Sequence, residues 1–126
     1  MSIPVAIDAV DKAMAERPYA YLLTVSDDGR PHAVAVTPRL VDGVLRASIG
    51  RRSGLNASAR PDAVSLVWPP AEVGGYSLIV DGSAIVEDET IAVTPTKGVL
   101  HRPAPADAGP VDDGACGSDC VPLTAG

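Results

Sequence analysis

Phenylalanine is absent from this 126-residue chain, and aromatic side chains are scarce, with one Trp and three Tyr amounting to 3% of the residues. So few rings argue against a stacking platform for single-stranded nucleic acid. Hydrophobic residues nevertheless make up 46% of the chain and charged residues 21%, as in ordinary globular proteins. We therefore expect a single domain whose core is built from Val, Ala, Leu and Ile and needs no disulfide framework.

The chain also lacks a long apolar run, and its N-terminal residues lack the basic and apolar regions typical of a secretion signal. We accordingly expect a cytoplasmic protein that does not bind membranes. Two cysteines are present, Cys116 and Cys120, four positions apart. They could form a small disulfide loop, a thiol redox pair, two ligands of a metal or a clip on a neighbouring subunit. Two unremarkable thiols are favoured, because nothing basic nearby lowers their pKa, and no metal site is predicted.

Charge is distributed unevenly along the chain. The net charge is −6, which argues against nucleic-acid binding. Residues 103–126 carry four Asp and no Lys or Arg, whereas residues 43–61 carry four Arg and no acidic residue. One locally basic segment in an acidic protein indicates a small anionic ligand, and a solvated basic surface is the alternative interpretation.

Hydrophobic periodicity and turn residues predict a mainly β protein. Ile3, Ile7, Val10 and Met14 recur at helical spacing and predict an N-terminal helix over residues 3–17. A short helix is predicted at 53–60, with Ser53 as its N-cap. Asp81-Gly82 is predicted to form a bulge or bend in the fifth strand. Six strands are predicted, at 19–26, 31–39, 44–49, 64–68, 76–87 and 91–102. Hairpin spacing between them favours a closed or split β-barrel over residues 1–102, followed by a Pro/Gly-rich acidic tail at 103–126.

The most informative segment is the strand–turn–helix junction at residues 45–56. Gly50 follows the strand, and unpaired backbone N–H groups are expected where the next helix begins. Arg51 and Arg52 flank these groups, together with the hydroxyls of Ser48 and Ser53. Phosphate binding requires this combination of donors, positive field and close backbone approach. The segment matches neither a Walker loop nor a Rossmann glycine pattern, and an ordinary capped helix with surface arginines is the alternative.

The first predicted hairpin, which reads TVSDDGRPH from Thr24 to His32, resembles the pyridoxamine 5′-phosphate oxidase-like flavin-binding split-barrel family. So do Ser48, the segment RRSGLN at 51–56 and the segment RPDAVSL at 60–66. The resemblance covers roughly residues 5–102. It implies an α+β fold: a six-stranded antiparallel split β-barrel with an N-terminal helix and a short helix between strands three and four.

The same resemblance implies a homodimer with FMN, or alternatively a deazaflavin, at its interface, and an oxidoreductase activity on an unknown small-molecule substrate. The isoalloxazine would lie against strands two to four. Trp68 is kept as a candidate cofactor contact, although packing in the barrel end is the favoured role. His32 and His101 are interpreted as surface or rim histidines. The implied phosphate-binding residues are Ser48, Arg51, Arg52, Ser53 and Asn56.

Two departures from the family pattern qualify these expectations. Ser53 stands where the family usually has Lys, so the positive charge has moved to Arg51 or Arg52 or the phosphate affinity is weakened or lost. The chain also lacks the further helix and final strand of the family oxidases, and oxidation of pyridoxamine phosphate itself is therefore not expected. The alternative function is a non-catalytic module that binds flavin, haem or another anionic ligand on the same fold.

Overall fold

The computed structural model describes residues 2–104 as eight strands and two short α-helices. The strands are β1 (Ser2–Val5), β2 (Ala20–Val25), β3 (Pro31–Val36), β4 (Arg39–Val41), β5 (Val44–Ser48), β6 (Val64–Trp68), β7 (Ser77–Glu87) and β8 (Thr90–His101). The helices are α1 (Val10–Ala15), preceded by a 3₁₀ turn at Ile7–Ala9, and α2 (Arg51–Ala59). Within residues 2–104, neither helix has the length and hydropathy that crossing a bilayer requires. The predicted tail lies outside the described residues from position 105 onward, and so do Cys116 and Cys120.

All the strands join one antiparallel sheet in the order β3-β2-β6-β7-β8-β5-β4, with β1 paired to β8. The long strand β8 pairs with β7 along its length, with β5 at one end and with β1 at the other. This arrangement confirms the predicted α+β split barrel with one helix near the N-terminus and one before β6. The strands number eight rather than six.

Alternating side chains of the sheet point into a single apolar core. Strand β6 illustrates the pattern, because Val64, Leu66 and Trp68 are buried while Ser65 and Val67 are only partly so. Apart from Trp68, the buried hydrophobic side chains are aliphatic, as the composition predicts. Each fully buried Val or Leu side chain stabilises the fold by about 1.5–3 kcal/mol relative to its exposed state.

The N-terminal segment differs from the prediction of a helix over residues 3–17. Residues 2–5 form β1 instead, with Ser2 opposite His101 and Val5 opposite Gly98. The helix proper is limited to α1, in which Val10 is the one buried residue. Helical spacing of apolar residues is a local signal, and pairing with the distant strand β8 overrides it here.

Two further boundaries differ from the sequence prediction. The strand predicted at 31–39 ends earlier, at Val36, because Pro38 follows and proline cannot donate a ladder hydrogen bond. A separate short strand, β4, then covers Arg39–Val41, of which only Arg39 lies in the predicted strand. Helix α2 begins at Arg51, with Gly50 as its N-cap residue. Ser53 is therefore not the cap but the third residue of the helix, where only 2% of it is exposed.

The predicted irregularity at Asp81-Gly82 is confirmed as a register shift between β7 and β8. Gly82 lies against β8 so closely that a Cβ atom there would be 2.5 Å from Cγ1 of Val93 and 2.6 Å from the carbonyl oxygen of Thr94. Only glycine fits this position without movement of the backbone of β8. The extra residue is Thr96 of β8, which has no partner because Asp81 pairs with Lys97 and Gly82 with Pro95. A bulge of this kind bends the strand that carries the extra residue, here β8.

Helix α2 is anchored to the sheet by a buried hydrogen bond. The Asn56 side chain donates from Nδ2 to Oγ1 of Thr24 on β2 over 3.1 Å. Thr24 is 1% exposed and Asn56 is 7% exposed, so water does not compete for either group. Because both partners are polar and buried, the bond holds α2 in one orientation on β2, and loss of either partner leaves the other unsatisfied.

We expect Gly82→Ala to lower the free energy of unfolding by about 1–3 kcal/mol, because its Cβ overlaps Val93 and Thr94. Gly54→Ala is the matched control. A Cβ there would lie 3.6 Å from Val86, an ordinary contact, within a helix. That variant should gain about 0.5–1 kcal/mol. Urea denaturation measures the change in the free energy of unfolding of each variant, and the two changes should have opposite signs. Equal changes would contradict the close packing at Gly82.

We expect Asn56→Ala to cost about 1–3 kcal/mol of stability, because the buried Thr24 hydroxyl loses its donor. Combined with Thr24→Val in a double-mutant cycle, the two effects should be coupled by about 0.5 kcal/mol or more. Ser83→Ala, which removes an exposed 2.8 Å hydrogen bond to Asp62, serves as the control and should change stability by less than about 0.5 kcal/mol. Additive effects at positions 24 and 56 would show that the bond does not anchor α2.

Candidate functional site

The N-terminus of α2 lies directly after the end of β5. Gly50 has an extended backbone, with φ −85° and ψ 177°, and its carbonyl accepts the first helical hydrogen bond from Gly54 over 3.1 Å. No side chain caps the helix, and no acidic residue occupies its first turn. The backbone N–H groups of Arg51, Arg52 and Ser53 therefore have no intrahelical acceptor and carry the positive end of the helix dipole.

A cavity of about 450 Å³ opens at this helix end, and we call it the β3–α2 cavity. One wall is apolar and includes Val34 and Val36 of β3 and Ile49 after β5. The other wall carries hydrogen-bond donors. The cavity is lined by His32, Val34, Ala35, Val36, Ser48, Ile49, Gly50, Arg51, Arg52 and Ser53. No carboxylate is among these residues, so an anion entering here meets only donors and positive charge.

His32 belongs to this cavity rather than to the outer surface. It lies on the inward side of β3 with Val34 and Val36, since alternate residues of a strand share one face. Its Nδ1 atom is buried and has no hydrogen-bond partner among residues 2–104. The sequence interprets His32 as a surface or rim histidine, whereas the structure places it in the lining of the β3–α2 cavity with one ring nitrogen buried. The alternation with two valines was the signal in the sequence that could have placed it inside.

A larger cavity of about 840 Å³, the hairpin cavity, lies between α2 and the β2–β3 turn. Arg51 and Arg52 border it too, but here they face Asp27 and Asp28. Asp27 forms a 3.0 Å ion pair with Arg60 at the far end of α2. A hydrogen bond from the Ser26 hydroxyl lowers the pKa of Asp28, and the charge of Arg52 is a smaller cause in the same direction. The lowered pKa keeps Asp28 ionised at neutral pH, and a carboxylate in its lining makes this cavity a poor site for an anion.

The structure brings four of the six predicted site residues together. Ser48, Arg51, Arg52 and Ser53 all line the β3–α2 cavity. Asn56 borders the hairpin cavity instead, and its amide nitrogen is engaged with Thr24. It therefore acts on the site by positioning α2.

Trp68 lies apart from these residues. It is 1% exposed in the core and borders none of the cavities near α2. Within residues 2–104, no cluster of three or more His, Cys, Asp or Glu residues could hold a metal ion. His101 lies at the end of β8, where Nδ1 is 3.4 Å from the Ser2 hydroxyl.

Two mycobacterial proteins resemble the chain in sequence, one from Mycobacterium bovis and one from Mycobacterium tuberculosis, and both are described as uncharacterized proteins. Each is 40% identical over 126 residues, an alignment that covers 86% of this chain and 87% of the mycobacterial protein. No protein-family model matches the chain.

Solved structures show the same fold at low sequence identity. A Listeria innocua protein assigned as a pyridoxamine 5′-phosphate oxidase superimposes with a TM-score of 0.62 at 16% identity, covering 75% of this chain and 96% of that one. An FAD-binding protein of Mesorhizobium loti gives 0.61 at 16% identity, covering 79% and 96%. A protein described as an F420 reductase gives 0.56 at 23% identity, covering 69% and 94%. The chain thus belongs to one family with the two mycobacterial proteins, and its fold is the split barrel of the pyridoxamine 5′-phosphate oxidase-like proteins.

Proposed function

We propose that this chain binds the phosphate end of a flavin-type cofactor, FMN or a deazaflavin, in the β3–α2 cavity and acts as an oxidoreductase. One observation carries the proposal: uncapped helix amides, two arginines and two hydroxyls line the same cavity, and no carboxylate does. The names of the FAD-binding and F420 proteins that share the fold support the same class of ligand.

The residues present fit a phosphate group. Arg51 and Arg52 are exposed and have no ion-pair partner within residues 2–104, so their guanidinium groups are available to pair with phosphate oxygens. Ser53 is almost fully buried at the cavity wall, and no other described residue bonds its hydroxyl. A lysine ammonium at this buried position would be costly to desolvate. Serine there together with arginines at the two preceding positions keeps the positive charge at the cavity mouth.

The apolar wall suits a planar ring system. Val34, Val36 and Ile49 provide it, while His32 offers a ring nitrogen at the same wall. The cavity volume of about 450 Å³ lies within the range typical of small-molecule sites. A bound flavin or deazaflavin supplies hydride-transfer chemistry. The chain's own residues neutralise the phosphate, orient the ring against β3 and keep the carboxylates of the hairpin turn away from it.

A homodimer is the second part of the proposal. Tyr21 is 40% exposed on the outer face of β2, opposite Ala35 of β3 and Val67 of β6. Its ring lies edge-to-face with that of Tyr19 at 5.5 Å between centroids. This apolar face has no partner within the described chain and reaches the β3–α2 cavity through Ala35. A second copy packed on it would cover apolar surface and close the open side of the cavity.

We expect FMN or a deazaflavin to bind with a change in its absorption or fluorescence spectrum, and Arg51→Gln with Arg52→Gln to weaken binding about tenfold or more. The reason is the loss of charge-assisted hydrogen bonds, each worth about 1.5–3 kcal/mol. Arg60→Gln is the control, because Arg60 lies at the other end of α2, paired with Asp27. Riboflavin, which has no phosphate, should be insensitive to all three substitutions.

A lack of spectral change with FMN and with a deazaflavin, for protein purified from its own host, would rule out the proposed cofactor class. Reduction of the bound cofactor by a nicotinamide donor, followed by its reoxidation by an acceptor, distinguishes the oxidoreductase from the non-catalytic binding module. Binding without any such turnover would favour the module.

We expect Tyr21→Glu to convert the protein from a dimer to a monomer of the chain mass, 12.8 kDa, because it places a charge on the apolar face. Light scattering coupled to size-exclusion chromatography measures the mass. Val73→Glu is the control, since Val73 is fully exposed in the loop after β6. A wild-type protein that is monomeric at tens of micromolar would remove the dimer from the proposal.

A further inference from the structure

Two arginines face each other at the end of the sheet opposite to β3. Arg39 of β4 pairs in register with Arg46 of β5, so the two side chains leave the same face of the sheet at directly opposed positions. Opposed residues have their Cβ atoms about 4.5–5.5 Å apart, and like charges at that separation destabilise a strand pair. Both residues are exposed at the surface.

The two arginines lie apart from the ion pair that the structure describes. Neither arginine forms an ion pair with any residue from 2 to 104, and the ion pair found there joins Arg60 to Asp27. The two arginines border a cavity of about 260 Å³, which we call the arginine-pair cavity. Thr37, Ser48 and Thr90 contribute hydroxyl groups to its lining, and no carboxylate does. Guanidinium groups and hydroxyls without a carboxylate are the donor set that binds an anion.

The arginine-pair cavity adjoins the β3–α2 cavity. Ser48 borders both of them. Arg46 and Ser48 are two positions apart on the same strand, which corresponds to about 6.6 Å along β5. That spacing suits two acidic groups joined by a few covalent bonds in one ligand.

We propose that Arg39 and Arg46 form a second anion subsite, which takes an additional acidic group of the same ligand whose phosphate lies at the N-terminus of α2. This inference rests on the proposed function and sharpens its ligand class. FMN carries one phosphate and leaves the subsite empty. A ligand with a further phosphate or carboxylate beyond the first, such as a dinucleotide flavin or a deazaflavin with a glutamyl tail, fills both sites.

The test compares ligands that differ in their acidic groups. Wild type, Arg39→Gln, Arg46→Gln and the double variant are titrated with FMN, FAD and a glutamyl-tailed deazaflavin by fluorescence. The double variant should lose about tenfold or more in affinity for FAD, for the tailed deazaflavin or for both, and less than twofold for FMN. A loss of affinity for FAD identifies a phosphate as the group bound at the second subsite. A loss of affinity for the tailed deazaflavin identifies a carboxylate. Arg30→Gln removes an exposed arginine that borders none of the cavities and should change no affinity.

A second measurement needs no flavin. Inorganic pyrophosphate and a short γ-linked glutamate peptide are titrated into the protein alone, with the shift in melting temperature as readout. A shift in wild type that the double variant lacks supports the second subsite even if no flavin-type ligand binds, in which case only the proposed function fails.

Equal responses of wild type and double variant to every ligand and anion would overturn the inference. So would an equal loss for FMN and FAD, since the arginines would then act on the first phosphate. If the double variant instead forms larger assemblies without any ligand dependence, the pair protects the edge strand β4 from pairing with other chains, and the anion subsite is likewise refuted.

Discussion

The buried hydrogen bond between Asn56 and Thr24 is the constraint on which the site depends. It joins α2 to β2 at a point where both partners are shielded from water, so the helix has one favourable orientation on the sheet. That orientation directs the uncapped amides of Arg51–Ser53 into the space beside β3. A rotation of α2 would direct those amides into solvent, where water would satisfy them and no anion site would form.

The placement of the carboxylates is as important as that of the arginines. Asp27 is paired with Arg60, and Asp28 is held by Ser26, on the side of the hairpin turn. Asp88 and Glu89 line a different cavity beside α2. The side that carries Ser48 has arginines and no acidic residue in the lining of either cavity. The cavities without a carboxylate are thus local features of a protein whose net charge is −6.

The fold narrows the function without deciding it, because a single fold supports many activities and the site decides among them. The solved structures share less than 25% of their residues with this chain, and the two mycobacterial relatives extend over most of its length. The features of this chain that bear on function are local. Ser53 places a small hydroxyl at the cavity wall, and Arg51 and Arg52 carry the positive charge beside it.

Local sequence determined the β6 strand and the gathering of Ser48, Arg51, Arg52 and Ser53, because each depends on residues that are neighbours in the chain. Gly82 marked an irregularity in β7, but the register shift itself requires β8. Tertiary structure decided the rest. Residues 2–5 became a strand through pairing with β8, almost a hundred positions away. The anchoring role of Asn56 and the opposition of Arg39 to Arg46 depend on which strands meet and in which register. A shift of one residue reverses every side chain of a strand, and only the packed sheet selects among registers.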